Sequence, residues 1–221
     1  MTCSIEKNPR LGYVITIYFL FIVAFSIMTT SFSLYTMFRF GYDAQHNGYI
    51  FAYVGVVSVI VQGGLIGRLV KRFGELPLVL VGAICFAASL FAVPFVGPKT
   101  GGLLGLLVGG GIFALGNSLA TPALNSLASK SAGAADQGTV LGVMQSAASL
   151  ARAVGPSLAA LLIHSAIMQM GRDNELHYMS DRSLFITFWT AAAIMFGAFT
   201  LALYYMRTYA WEPPQSTAEV T

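Results

Sequence analysis

Six long stretches of this chain carry almost no charge, and short charged turns separate them. Residues 11–38 hold none, and 44–67 hold none beyond a proton on His46. Residues 76–98 and 100–129 are also free of charge, 137–164 is broken only by Arg152, and 183–206 closes the series. An α-helix rises about 1.5 Å per residue, so about 20 apolar residues cross a hydrocarbon layer of about 30 Å. The pattern predicts six spanning helices at about 11–38, 46–67, 76–97, 102–128, 138–164 and 183–206. Residues 1–10 form an N-terminal segment. The polar end EPPQSTAEVT makes 207–221 a disordered tail. A membrane barrel needs short strands of strict alternation, and runs such as IVAFSIM and LVLVGAICF alternate poorly. A helix pairs its own backbone groups, as lipid demands. The fold class is therefore an all-α membrane protein.

Composition agrees with the pattern. The hydrophobic share is 56% and charged residues make up 10%, with a mean hydropathy of +0.72. A soluble domain carries roughly 25% charged residues, so a soluble enzyme is excluded. A net charge of +3 without a basic run argues against nucleic acid. Cys3 and Cys85 make neither a disulfide framework nor a metal site, and no cofactor is expected. With the N-terminus inside, Lys7, Arg10, Arg68, Lys71, Arg72, Lys130 and Arg207 are internal, and Arg39, Lys99, Arg172 and Arg182 external. Seven against four places both termini in the cytoplasm. Tyr204, Tyr205, Tyr209 and Trp211 would line the inner interface and Tyr35, Tyr42 and Tyr49 the outer one. No cleavable leader is expected, because the first apolar run is too long for a signal core. Residues 165–182 form the longest outer loop.

Arg152 is the polar group that the pattern does not absorb. A mid-span arginine costs at least about 2.5–3.5 kcal/mol on insertion scales, so it must face protein or a wet cavity. Gln145, Ser149, Arg152 and Pro156 recur at steps of four, three and four, which puts them on one helix face. Pro156 has no N–H, so the Arg152 carbonyl loses its helical partner and a kink is expected. Pro122 does the same to the Ser118 carbonyl. Arg152 either attracts an anionic substrate group or a carboxylate of another helix, or it is a structural pin. Gln62, Asn117 and Gln145 are further cavity candidates, because an amide has several groups to satisfy. Tyr53, Ser58, Ser118, Thr121, Asn125, Thr29, Thr30 and Ser33 are weaker signals, and serine and threonine hydroxyls commonly bond back to their own helix. Glycines at 101–116 and the Gly138, Gly142, Ser146 stripe suit close helix packing. All nine acidic residues lie outside the spans, whereas proton or sodium coupling ordinarily uses a buried carboxylate.

At the turn after the second span the chain reads GGLIGRLVKRFGE, residues 63–75. This resembles the loop signature G-x-L-x-D-R-x-G-R-R of the major facilitator superfamily. Gly67, Leu69, Arg72 and Gly74 match it. Lys71 stands in place of the aspartate and Glu75 in place of a basic residue. Residues 39–64, 117–132 and 137–162 resemble the superfamily's drug:proton antiporter branch, the tetracycline-exporter-like members, in its second six-helix half. The resemblance implies a 3+3 inverted repeat. The first and fourth spans would line a cavity, the second and fifth flank it, and the third and sixth pack outside. It implies a secondary transporter of small molecules working by alternating access, of efflux antiporter type, in a bacterial inner membrane. The partner would be a missing N-terminal six-helix half, which would supply the coupling carboxylate, or a second copy. The chain would then be a fragment of such a transporter, one part of a split one or a half that dimerises; a non-transporting half-transporter subunit, or a truncated product with a structural role, is the alternative reading. An intramembrane enzyme is a remote one, since Gly116-Asn117-Ser118 and His164 only approach a serine-protease pattern.

Overall fold

The computed structural model describes residues 9–132, 136–169 and 176–209, excluding the side chains of 164–169 and 176–181. Its helices are α1 (Pro9–Phe40), α2 (Ala44–Ile60), α3 (Ile66–Phe73), α4 (Glu75–Ala92), α5 (Gly102–Ser131), α6 (Gln137–Gln169) and α7 (Leu176–Thr208). A single π-helical turn, Val61–Leu65, joins α2 to α3, so the two make one span, Ala44–Phe73. Six helices are thus long and apolar enough to cross a membrane. Among the described residues no strand forms.

Local chemistry sets the ends. Gly41 turns the chain at a φ of 69°, and its N–H returns to the Met37 carbonyl at 3.0 Å. Asp43 then caps α2, its carboxylate accepting the His46 N–H at 2.9 Å. Gly74, at a φ of 80°, separates α3 from α4. Pro122 and Pro156 lie inside α5 and α6, and both helices continue through them. The helices also outrun the charge-free stretches. α6 reaches Gln169 and α7 starts at Leu176, so much of the expected outer loop 165–182 is helical, and residues 170–175 lie outside the described residues. α7 likewise runs to Thr208, into the expected tail; the remaining tail, 210–221, and segment 1–8 lie outside the described residues.

Inside a bilayer, helices associate through close van der Waals fit rather than through expulsion of water. The tightest crossings are accordingly glycine crossings. α4 and α5 make the most extensive pair. A Cβ built on Gly82 would lie 2.7 Å from the Gly116 carbonyl oxygen, and one on Gly116 would lie 2.7 Å from that of Gly82. α1 crosses α6 at Gly155, where a Cβ would lie 2.4 Å from the Ser26 Cβ. Between these crossings Phe21, Phe25, Phe86 and Phe113 pack ring on ring at 4.6–6.5 Å. The glycines of α5 are packing glycines in part: Gly105 and Gly109 face Val96 and Val93 of the preceding segment. The stripe on α6 differs. Gly138 and Gly142 have nothing within 4 Å, and they are exposed together with Ser146.

The pairing has an internal symmetry. The first span packs on the fifth and sixth, and the fourth packs on the second and third. The third and sixth pack on each other. Exchanging spans one to three with four to six leaves this pattern unchanged, as a 3+3 repeat requires. Burial is uneven. In its most apolar stretch the first span is 61% buried, the second only 11% and the fifth 28%. The second and fifth therefore carry the least-covered faces of the bundle.

Candidate functional site

The sequence candidates separate into two groups on these poorly covered faces. Gln145, Ser149 and Arg152 are all exposed on α6. Ser149 donates back to the Gln145 carbonyl at 2.9 Å, as an unengaged helical serine does. The Arg152 guanidinium meets no partner among the described residues, and the Pro156 ring leaves the Arg152 carbonyl without an N–H from its own helix. On α1, Thr30 is exposed too.

The second group follows the seam between α2 and α5, which run parallel. Tyr53 approaches Gly111 so closely that a Cβ there would lie 3.0 Å from its hydroxyl. Gln62 donates to the buried Ser118 Oγ at 3.3 Å. One turn on, Thr121 donates to Asn117 Oδ1 at 3.1 Å. Asn125 Oδ1 and Ser31 Oγ are buried without a partner. No hydrogen bond or ion pair joins this group to the α6 group among the described residues. Ser118 meets Gln62, with no base beside it among the described residues, and the His164 side chain lies outside them.

Two features escape the sequence pattern. The ends of α1 and α2 diverge around a cavity of about 620 Å³, lined by Ser33, Met37, Tyr42, Asp43, Asn47 and Phe51 among others. One of the lining residues, Asn47, accepts a buried hydrogen bond of 2.6 Å at Oδ1 from Thr36 Oγ1. At the mouth of the cavity the His46 backbone N–H, and then the His46 ring at 2.7 Å, hold the Asp43 carboxyl below the ordinary aspartate range. The π turn is the second feature. Turns of this kind are rare and gather at functional sites, and this one contains Gln62, Gly63 and Gly64.

At the opposite end of the bundle, the signature-like turn is only partly engaged. Glu75 accepts from Ser126 at 2.9 Å and pairs with Lys130, which ties the start of α4 to the end of α5. Gly67 and Gly74 bracket the segment that carries Leu69, Lys71 and Arg72. Leu69 packs on the core, whereas Lys71 and Arg72 are exposed. Lys71 and Arg72 form no ion pair among the described residues. The acid that would serve, Glu75, is engaged with Lys130.

The geometry defines an integral membrane protein of six spanning helices, with polar side chains on a face that it does not itself cover. Residues 4–156 match the Major Facilitator Superfamily, and the chain belongs to that superfamily. Its bundle corresponds to half of the superfamily's fold. It is 32% identical over 146 residues to solute carrier family 22 member 18 of Rattus norvegicus, covering 66% of this chain and 33% of that protein. To tetracycline resistance protein, class D, of Salmonella ordonez it is 33% identical over 138 residues, 62% of this chain and 33% of the relative. To multidrug resistance protein 2 of Bacillus subtilis (strain 168) it is 30% identical over 161 residues, 72% and 39% respectively. The matched region spans about a third of the length of these curated relatives. No solved structure matches.

Proposed function

We propose that this chain is the second six-helix half of an efflux-type proton antiporter that works by alternating access. The single observation that carries this reading is where the polar groups lie. Arg152, Gln145 and Ser149 on α6, Gln62 on the second span and Thr30 on α1 are exposed on the bundle surface, although each sits in an apolar span. Lipid is the wrong solvent for an arginine and two amides. A second six-helix unit laid over these faces would enclose them in a midplane cavity, the location that two-half transporters use. The membrane-embedded carboxylate that proton coupling requires would come from that unit. Two relatives are named for resistance to tetracycline and to multiple drugs, which fits a small-molecule efflux substrate. The bacterial relatives fit an inner membrane, and the charge bias supports a topology with both termini and the Gly67–Glu75 turn in the cytoplasm. There the Glu75 bridge to Lys130 acts as a latch between the third and fourth spans.

A second reading has its own support. The relatives are about three times as long as the matched region, and the polar face is unfinished without a partner. On its own the chain would then be a non-transporting half, completed by another six-helix unit or by a second copy. Both readings meet one test, the uptake of tetracycline into everted membrane vesicles energised by a pH gradient. The chain is expressed alone and with a six-span partner. With the partner, Arg152→Ala should cut uptake at least tenfold while Arg152→Lys keeps much of it. Unchanged uptake in Arg152→Ala would reduce Arg152 to a structural pin. Absence of uptake in every combination would favour the non-transporting half.

A further inference from the structure

α3 is two turns long and divided lengthwise. Ile66 and the residues three, four and seven beyond it, Leu69, Val70 and Phe73, form one stripe, and Arg68, Lys71 and Arg72 form the opposite one. The first three apolar residues pack on the core, yet no residue of the helix is fully buried. The three cations are exposed. Neither described ion pair involves them, because Asp43 is paired with His46 at the other end of the span and Glu75 with Lys130. The Arg72 guanidinium lies 5.4 Å above the Phe73 ring, which is itself 46% exposed. A basic stripe beside an exposed aromatic at the end of a spanning helix has the make-up of an interfacial helix.

We infer that the Arg68, Lys71, Arg72 face of α3 is a binding surface for anionic phospholipid headgroups. Three adjacent cations at headgroup depth, without a carboxylate of their own, complement a phosphodiester, and each contributes to holding it. Arg68 and Arg72 present planar forks to the phosphate oxygens, and Lys71 adds a point charge between them. Phe73 and Leu65, 46% and 43% exposed, meet the acyl boundary below. The leaflet concerned is the cytoplasmic one, and that part of the inference rests on the orientation proposed above.

The purified full chain in detergent, offered equal amounts of phosphatidylglycerol and phosphatidylcholine, tests the surface by native mass spectrometry. The wild type should retain phosphatidylglycerol in preference by about tenfold or more, and the triple variant R68Q/K71Q/R72Q should lose that preference. R68K/R72K should keep much of it. All of these side chains are exposed, so far-ultraviolet circular dichroism should show unchanged helix content in each variant. Equal retention of the two lipids by the wild type, or an undiminished preference in the triple variant, would overturn the inference. So would displacement of phosphatidylglycerol by equimolar inorganic phosphate. Orientation is read separately, by impermeant maleimide on Lys71→Cys in a background with Cys3 and Cys85 replaced by Ser. Labelling from outside the cell would reverse the leaflet and the proposed topology but leave the lipid preference standing.

Discussion

A missing side chain determines where two helices meet. At residue 155 the backbone of α1 comes so near α6 that a Cβ would lie 3.2 Å from both the Ile27 nitrogen and the Val23 carbonyl oxygen, besides striking Ser26. These are main-chain atoms, so no rotamer change can relieve the clash, and the helices would have to move apart. Gly155→Val should therefore destabilise the micelle-solubilised chain by about 1–3 kcal/mol, the usual range for overpacking. Thermal unfolding followed by circular dichroism reads this directly. Gly197, with nothing within 4 Å, provides the control: Gly197→Ala should leave the melting temperature no lower. An equal loss in both variants would mean that the crossing does not depend on residue 155. Polar residues follow similar steric and solvation logic. Thr16, Thr29, Ser131, Ser146, Ser149 and Ser157 all bond to carbonyls on their own helix. Gln62, Asn117 and Arg152 cannot satisfy themselves in this way.

At the scale of the element, the entrance to the second span depends on one carboxylate. Asp43 accepts the His46 N–H at the head of α2, and that bond, followed by the His46 ring, lowers its pKa below the ordinary value of 3.8. A depressed carboxyl adds stability that is complete above its unfolded value and is lost as pH falls through its folded value. Melting temperature should thus decline in wild type below about pH 4, the range of an ordinary aspartate. Asp43→Asn, which keeps a capping oxygen but no charge, should decline less steeply there. Parallel slopes for the two proteins would remove Asp43 from the acid response. How far the elements were legible in advance follows from the same physics. Charge-free length marks a span because lipid excludes charge, so six spans could be read from the chain, and Asp43 ahead of a helix is an ordinary capping residue. The π turn at Val61–Leu65 could not be read, because one extra residue per turn leaves the apolar content of the stretch unchanged. Nor could the Thr36–Asn47 hydrogen bond beside the cavity between α1 and α2, since a spanning threonine usually bonds its own helix. Periodicity put Gln145, Ser149 and Arg152 on one face. Whether that face is covered depends on tertiary packing, which periodicity does not contain.

For the whole molecule, the decisive question is which surfaces are finished. The second span presents Gly48, Ala52, Gly55, Val59 and Gly63 along one exposed side, and α6 presents Gly138, Gly142, Ser146, Ala153 and Ser157 along another. None of these glycines has a neighbour within 4 Å, whereas Gly82, Gly116 and Gly155 are hemmed in by backbone. Small residues on a lipid-facing side gain nothing from lipid, which fills large and small surfaces alike, but they allow another helix to approach closely. If the exposed stripes are reserved for a second six-helix unit, stability and assembly should separate there. Gly55→Leu and Gly142→Leu should leave the melting temperature of the chain alone undiminished, because each leucine enters open space. The same variants should reduce co-purification with a six-span partner, or self-association of the chain if a second copy is the occupant. Gly116→Leu should reverse the order, lowering the melting temperature of the chain alone through its clash with the Phe86 backbone nitrogen. Size-exclusion chromatography of the detergent-solubilised proteins, with differently tagged partners, measures assembly, and circular dichroism measures stability. If Gly142→Leu melted as early as Gly116→Leu, α6 would be packed within the chain, and the open polar face bearing Arg152 would have to be reassigned.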